Sequence, residues 1–132
     1  MVDVPQTRSG ILGSILIDNT TGLILPQGMR NCFVTIIGPP TTLTPVAGAV
    51  TWPLATAPLA TVTIVANTTI TVTGGEDGMC YRLAIIQGGA GSFVPTLSGV
   101  TLSSTPVWAT ASGASNRVYI DMVGATLMAD VV

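Results

Sequence analysis

The chain contains no histidine and no lysine, and only 8% of its 132 residues are charged. These absences exclude most familiar catalysis. General acid–base chemistry draws most often on histidine, and Schiff-base chemistry on lysine. Ser92, Ser98 and Ser103 cannot build a Ser-His-Asp site where no histidine exists. Cys32 and Cys80 are too far apart for a CxxC motif, and no histidine completes a zinc set. The sequence therefore predicts a protein that is not an enzyme, with no catalytic residue, no metal and no cofactor. Both thiols are expected to be buried or half-buried, and unpaired in a reducing compartment.

Long apolar runs are missing as well. The most apolar stretch, residues 50–66, is interrupted by Pro53, Pro58 and several threonines. It falls short of the roughly 20 apolar residues that a spanning helix needs. The opening MVDVPQTRSG places an acid before its only base and has no apolar segment directly after it, so no secretory signal is expected. A soluble chain made in a cytoplasm, with no membrane partner, follows as the expectation. Positive charge is scarce: Arg8, Arg30, Arg82 and Arg117 stand singly, which predicts no direct nucleic-acid binding.

What the chain has is apolar and β-branched. It is 48% hydrophobic, with mean hydropathy +0.67 and a formal net charge of −2. So few charges leave an isolated monomer poorly protected, and large apolar faces usually end against a partner. Self-association, as a homotrimer, is expected. The length suits one domain that buries about two-thirds of its unfolded surface.

Along the chain, residues 1–10 read as an extended arm. Ile11, Leu12, Ile15 and Ile17 form a short apolar run able to add to a neighbour's sheet edge. The turn formers of residues 18–22 close it, with Asp18 as cap. Pro26 can open at most one helical turn, ending at Arg30, which is expected to reach a partner or backbone carbonyls. Residues 33–37 read as a strand. Pro45, Pro53 and Pro58 confine residues 41–60 to loop or edge positions, since proline removes a ladder donor. Residues 61–73 carry the clearest β signal: Val62, Ile64, Ala66, Ile70 and Val72 share one parity, with Asn67 as a break or bend.

After a turn at residues 74–78, residues 79–87 are apolar on both faces and predict a central strand. The glycine-rich residues 88–91 lack a lysine and a helix pattern, so they read as a turn cluster rather than a phosphate cradle. Short segments at 100–102 and 107–109 lead to a hairpin of residues 117–123 and 126–131. Gly124 in the first of two loop positions suits a type II′ turn. The expected fold is all-β: an antiparallel, jelly-roll-like sandwich or barrel with an extended N-terminal arm. Residues 1–32 form the arm and docking segment, residues 33–132 the sandwich module.

Glu76 and Asp77 are adjacent, so on a strand they point to opposite faces and make no catalytic pair. The neighbourhood supplies too few oxygens for calcium. Trp52 and Trp108 are expected in core or interface packing, and stack on a glycan only if exposed.

Two segments carry a resemblance. Asp18, Asn19, Thr21, Gly22, Ile24, Pro26 and Arg30 match a block common in tailed-bacteriophage virion proteins, especially tail fibres. Tyr81, Leu83, Ile85, Gln87, Gly91 and Trp108 resemble a second pattern of those proteins, followed there by a closing hairpin. Leu25 departs from the first block, where a serine or threonine commonly caps a helix, a loss of about 1 kcal/mol at that terminus. The resemblance implies a structural protein of the phage virion. The length favours a capsid decoration or cement protein that binds the major capsid protein. A tail-fibre or receptor-binding module contacting host glycans is the alternative, and a tail or connector adaptor a third.

Overall fold

The computed structural model describes residues 39–132, and among them every regular element is a strand. The chain order is β1 (Thr41–Leu43), β2 (Ala49–Pro53), β3 (Leu59–Ile64), β4 (Thr68–Thr73), β5 (Cys80–Gln87), β6 (Pro95–Ser98), β7 (Thr101–Leu102), β8 (Ser115–Val123) and β9 (Thr126–Val131). Residues 40–132 form one unit. The expected arm, its apolar run, the turn at Asp18, the helical turn ending at Arg30, the strand at 33–37 and the boundary at 32/33 lie outside the described residues.

Among the described residues the strands corroborate the all-β expectation but overturn the antiparallel sandwich or barrel. From β1 to β7 successive strands alternate between two sheets and stack in parallel. One sheet runs β1-β3-β5-β8-β9-β7 and the other β2-β4-β6. The pairs β1–β3, β3–β5, β2–β4 and β4–β6 are all parallel. This is a parallel β-solenoid of about four turns, closed by the antiparallel β8–β9 hairpin against β5. Each turn stacks on the one before, as in other solenoids.

The physical difference from a sandwich lies at the corners. Between β3 and β4 the chain bends at residues 65–67 without reversing onto itself, and the inward parity continues through the bend. Val62, Ile64, Thr68, Ile70 and Val72 are all buried. Ala66, of the same parity, sits on the corner and is exposed. Asn67 holds that corner to the next turn, its Oδ1 accepting the Val94 N–H at 2.9 Å. Thr41 pairs with Ala60 and Ala60 with Leu83, offsets of 19 and 23 residues. Unequal turns leave no repeat period to read.

The core lies between the two sheets, where Trp52, Ile64, Ile70, Leu83, Ile85, Val118 and Ile120 are fully buried. β5 is central, between β3 and β8, as its apolar pattern predicts. The proline-bearing region forms the edge strands β1 and β2, with Pro53 ending β2. At the β8–β9 turn Gly124 alone has positive φ, 63°, the backbone a type II′ turn requires. Asp77 Oδ1 accepts the Gly124 N–H at 2.7 Å, so the acidic turn at 76–77 braces the closing hairpin. Cys80, expected to be at least half-buried, is instead exposed with a free thiol, because it stands on the outward parity of β5.

Candidate functional site

Polar side chains divide into two populations. The buried ones are spent on the backbone. Gln87 donates from Nε2 to the Phe93 carbonyl at 2.8 Å, while its Oε1 accepts the Phe93 N–H at 3.2 Å. Asn116 repeats the device: Nδ2 donates to the Ala109 carbonyl at 2.9 Å and Oδ1 accepts the Ala109 N–H at 2.7 Å. Each amide acts as one more strand residue, clipping an irregular segment to the coil. Thr68 donates to the Ala66 carbonyl at 2.9 Å. The Tyr81 hydroxyl accepts the Glu76 N–H at 2.7 Å, and burial pushes its pKa above the usual tyrosine value. None of these groups is available to a ligand.

Four of the exposed charges among the described residues, all but Asp77 in the turn before β5, collect on the outer face of the larger sheet. The register pairs Arg82 of β5 with Tyr119 of β8, and Tyr119 with Asp130 of β9. Two residues along β8 on either side of Tyr119, on the same face, stand Arg117 and Asp121. Tyr119 is thus the centre of a cross with Arg82 and Asp130 on one arm, Arg117 and Asp121 on the other. Arg82, Arg117, Asp121 and Asp130 are exposed, and Tyr119 retains 41% of its surface. Among the described residues none of the four charges makes an ion pair. Asp130 accepts a hydrogen bond from the Ser103 hydroxyl, and Asp121 faces Cys80. The outer face of the smaller sheet, by contrast, shows Thr51, Thr69, Thr71, Thr73, Thr96 and Ser98 and no charge.

The Cys80 thiol is held above the usual cysteine pKa, first by its hydrogen bond to the Asp121 carboxylate and then by that carboxylate's charge. Thiolate is the reactive form, so this carboxylate slows the thiol. Asp121→Asn is expected to speed alkylation of Cys80 near pH 8 and move the pH–rate profile to lower pH. Superimposable profiles for parent and variant would show that the pair does not couple.

Of the residues singled out from sequence, Trp52 is fully buried, its Nε1 donating to the Ala57 carbonyl at 2.7 Å. Trp108 is half-buried and packs against the core. The two are structural, and neither joins the cross at Tyr119. Ile11, Leu12, Ile15, Ile17, Asp18 and Arg30 lie outside the described residues. The sequence reading missed Tyr119 and the charges around it. The available signal was the alternation in β8, where Arg117, Tyr119 and Asp121 interleave with the buried Val118 and Ile120.

An open groove of about 500 Å³ beside β1 and β2 is lined by threonine, valine, leucine and alanine, with no titratable side chain. Among the described residues no three His, Cys, Asp or Glu side chains gather in a metal-holding group. Among the described residues no helix is long and apolar enough to cross a membrane. Comparison of the chain with protein-family models, curated proteins and solved structures returned no match.

Proposed function

We propose that this chain is a structural protein of a tailed-bacteriophage virion, a decoration or cement protein that stabilises the capsid by binding the major capsid protein. The residue patterns at 17–36 and 78–109 support the phage assignment. The observation that carries a contact role is the division of polar groups: the buried amides hold the coil, while four exposed charges surround one tyrosine on the outer face of a sheet. A charged, aromatic-centred sheet face suits docking and not substrate capture, which favours clefts. In this reading the protein works without catalysis, cofactor or nucleic acid, on the particle after synthesis in the host cytoplasm.

Mass spectrometry of purified virions tests the reading, with expected recovery of the chain in stoichiometric amounts. Its absence from particles refutes it. Deletion of residues 1–17 is expected to leave folding and self-association intact while abolishing incorporation. Full occupancy by the truncated protein would move the docking surface to the β-solenoid. A second reading, a fibre module that contacts host glycans, is favoured by the exposed ring of Tyr119 between polar neighbours, because aromatic faces with a polar rim suit sugars. Glycan binding by the purified protein that Tyr119→Ala removes would select it.

A further inference from the structure

The cross around Tyr119 is complementary to itself, and we propose that it forms a two-fold symmetric, face-to-face interface between two copies of this chain. Arginines occupy two adjacent arms and aspartates the other two. By strand spacing, Arg82 and Asp130 lie about 4.8 Å to either side of Tyr119, and Arg117 and Asp121 about 6.8 Å above and below it. A two-fold axis lying in the interface, along the diagonal that separates the arginines from the aspartates, exchanges the two signs. It sets Arg82 over Asp121 of the second copy and Arg117 over Asp130 of the second copy. All four ion pairs form at once, and the two Tyr119 rings meet on the axis.

Isologous interfaces demand this property, since one patch must complement itself. The same face offers apolar contact from Tyr119 and from Met128, 38% exposed. It spans six strands, about 24 Å across by the usual strand spacing, enough for a face-to-face contact at the lower end of stable interfaces. Charges that make no ion pair among the described residues, opposite in sign and equal in number, are what such a contact neutralises. The two-fold layout replaces the homotrimer expected from composition with a dimer. It rests on the register of this face and not on the particle reading, so either can fail without the other.

The diagonal axis also passes beside Cys80, at the corner of the patch where Arg82 and Asp121 meet, so the two Cys80 thiols of a dimer lie near each other. In a Cys32→Ser background, a short bis-maleimide is therefore expected to link two chains through Cys80, and Cys80→Ser to abolish the link. Multi-angle light scattering of the full chain at micromolar concentration is expected to return a dimer. Arg82→Asp sets like charges opposite each other at both symmetric contacts and should weaken association by tenfold or more, as Asp121→Arg should. The double variant Arg82→Asp/Asp121→Arg restores the pairing and should restore the dimer. These positions are exposed, and an unchanged far-UV circular dichroism spectrum verifies that each variant folds. A monomeric parent, a trimer indifferent to the reversals, or reversals that the double variant does not rescue would each overturn the proposal.

Discussion

Replacing Asn116 by leucine should lower the unfolding free energy by about 1–3 kcal/mol, although leucine has the same number of side-chain heavy atoms and is more apolar. The reason is not the asparagine's own burial but what it leaves behind. Its amide satisfies both the N–H and the carbonyl of Ala109, and because Ala109 is exposed each lost bond costs about 0.5–1.5 kcal/mol, not the full penalty of a group cut off from water. Ala109 belongs to a segment without regular strand structure, so no backbone partner is ready to replace the amide. Gln87→Leu should behave alike, freeing the N–H and carbonyl of Phe93. Urea titration reads both effects as a fall in midpoint. A leucine variant within 0.5 kcal/mol of the parent would mean that water or another backbone group takes over the clip.

The strands themselves were legible where alternation is strong. The run 61–73 resolves into β3 and β4 with Asn67 at the bend, β5 is central, and the glycine of the last hairpin has the backbone it needs. Their arrangement was not. Short strands bounded by Gly, Pro and Thr turns are common to sandwiches and solenoids, and the two differ in where the chain goes at each corner. A solenoid normally betrays itself by a repeat. Here the offsets between stacked strands vary, 20 residues from Ala49 to Thr69 but 27 from Thr68 to Pro95, because the turn between β5 and β6 carries the glycine-rich loop. Gln87 and Asn116 absorb that irregularity. An amide on the inward parity of a strand was the one available sign that a loop is pinned there.

The face around Tyr119 failed for a related reason. Parity alone says that Arg117, Tyr119 and Asp121 point outward together. Only register says that Arg82 and Asp130 flank that tyrosine, because β5 pairs with β8 across a long intervening stretch. Arginines that stand singly along the chain thus come together on one surface. The tryptophans were the reverse case. Their expected structural role was legible from chemistry, since an indole buried in a sheet protein needs a partner for its N–H, and the Ala57 carbonyl supplies it to Trp52.

Gly91→Ala is expected to cost about 3 kcal/mol or more, and comparison with Gly89→Ala isolates the cause. Both glycines have left-handed backbone, φ +73° and +54°, which costs an alanine about 1–2 kcal/mol in either place. Only Gly91 also lacks room. A Cβ there would stand 2.5 Å from the Thr110 carbonyl oxygen and 2.6 Å from the Ser112 nitrogen, whereas a Cβ at Gly89 meets nothing within 4 Å. The obstacle is backbone and cannot rotate away. It is also fixed from both sides. The Ser92 N–H donates to the Thr110 carbonyl at 2.6 Å and the Gly113 N–H to the Gln87 carbonyl at 2.8 Å. Relieving the clash therefore pulls residues 88–92 off residues 110–113 and strains the Gln87 clip at Phe93 as well. Gly91→Ala and Gln87→Leu should consequently combine to less than the sum of their separate losses, since the first already loosens what the second releases. Equal small losses at Gly89 and Gly91 would show that the two loops part without penalty, and that the amide clips, not the close approach at Gly91, hold this end of the solenoid.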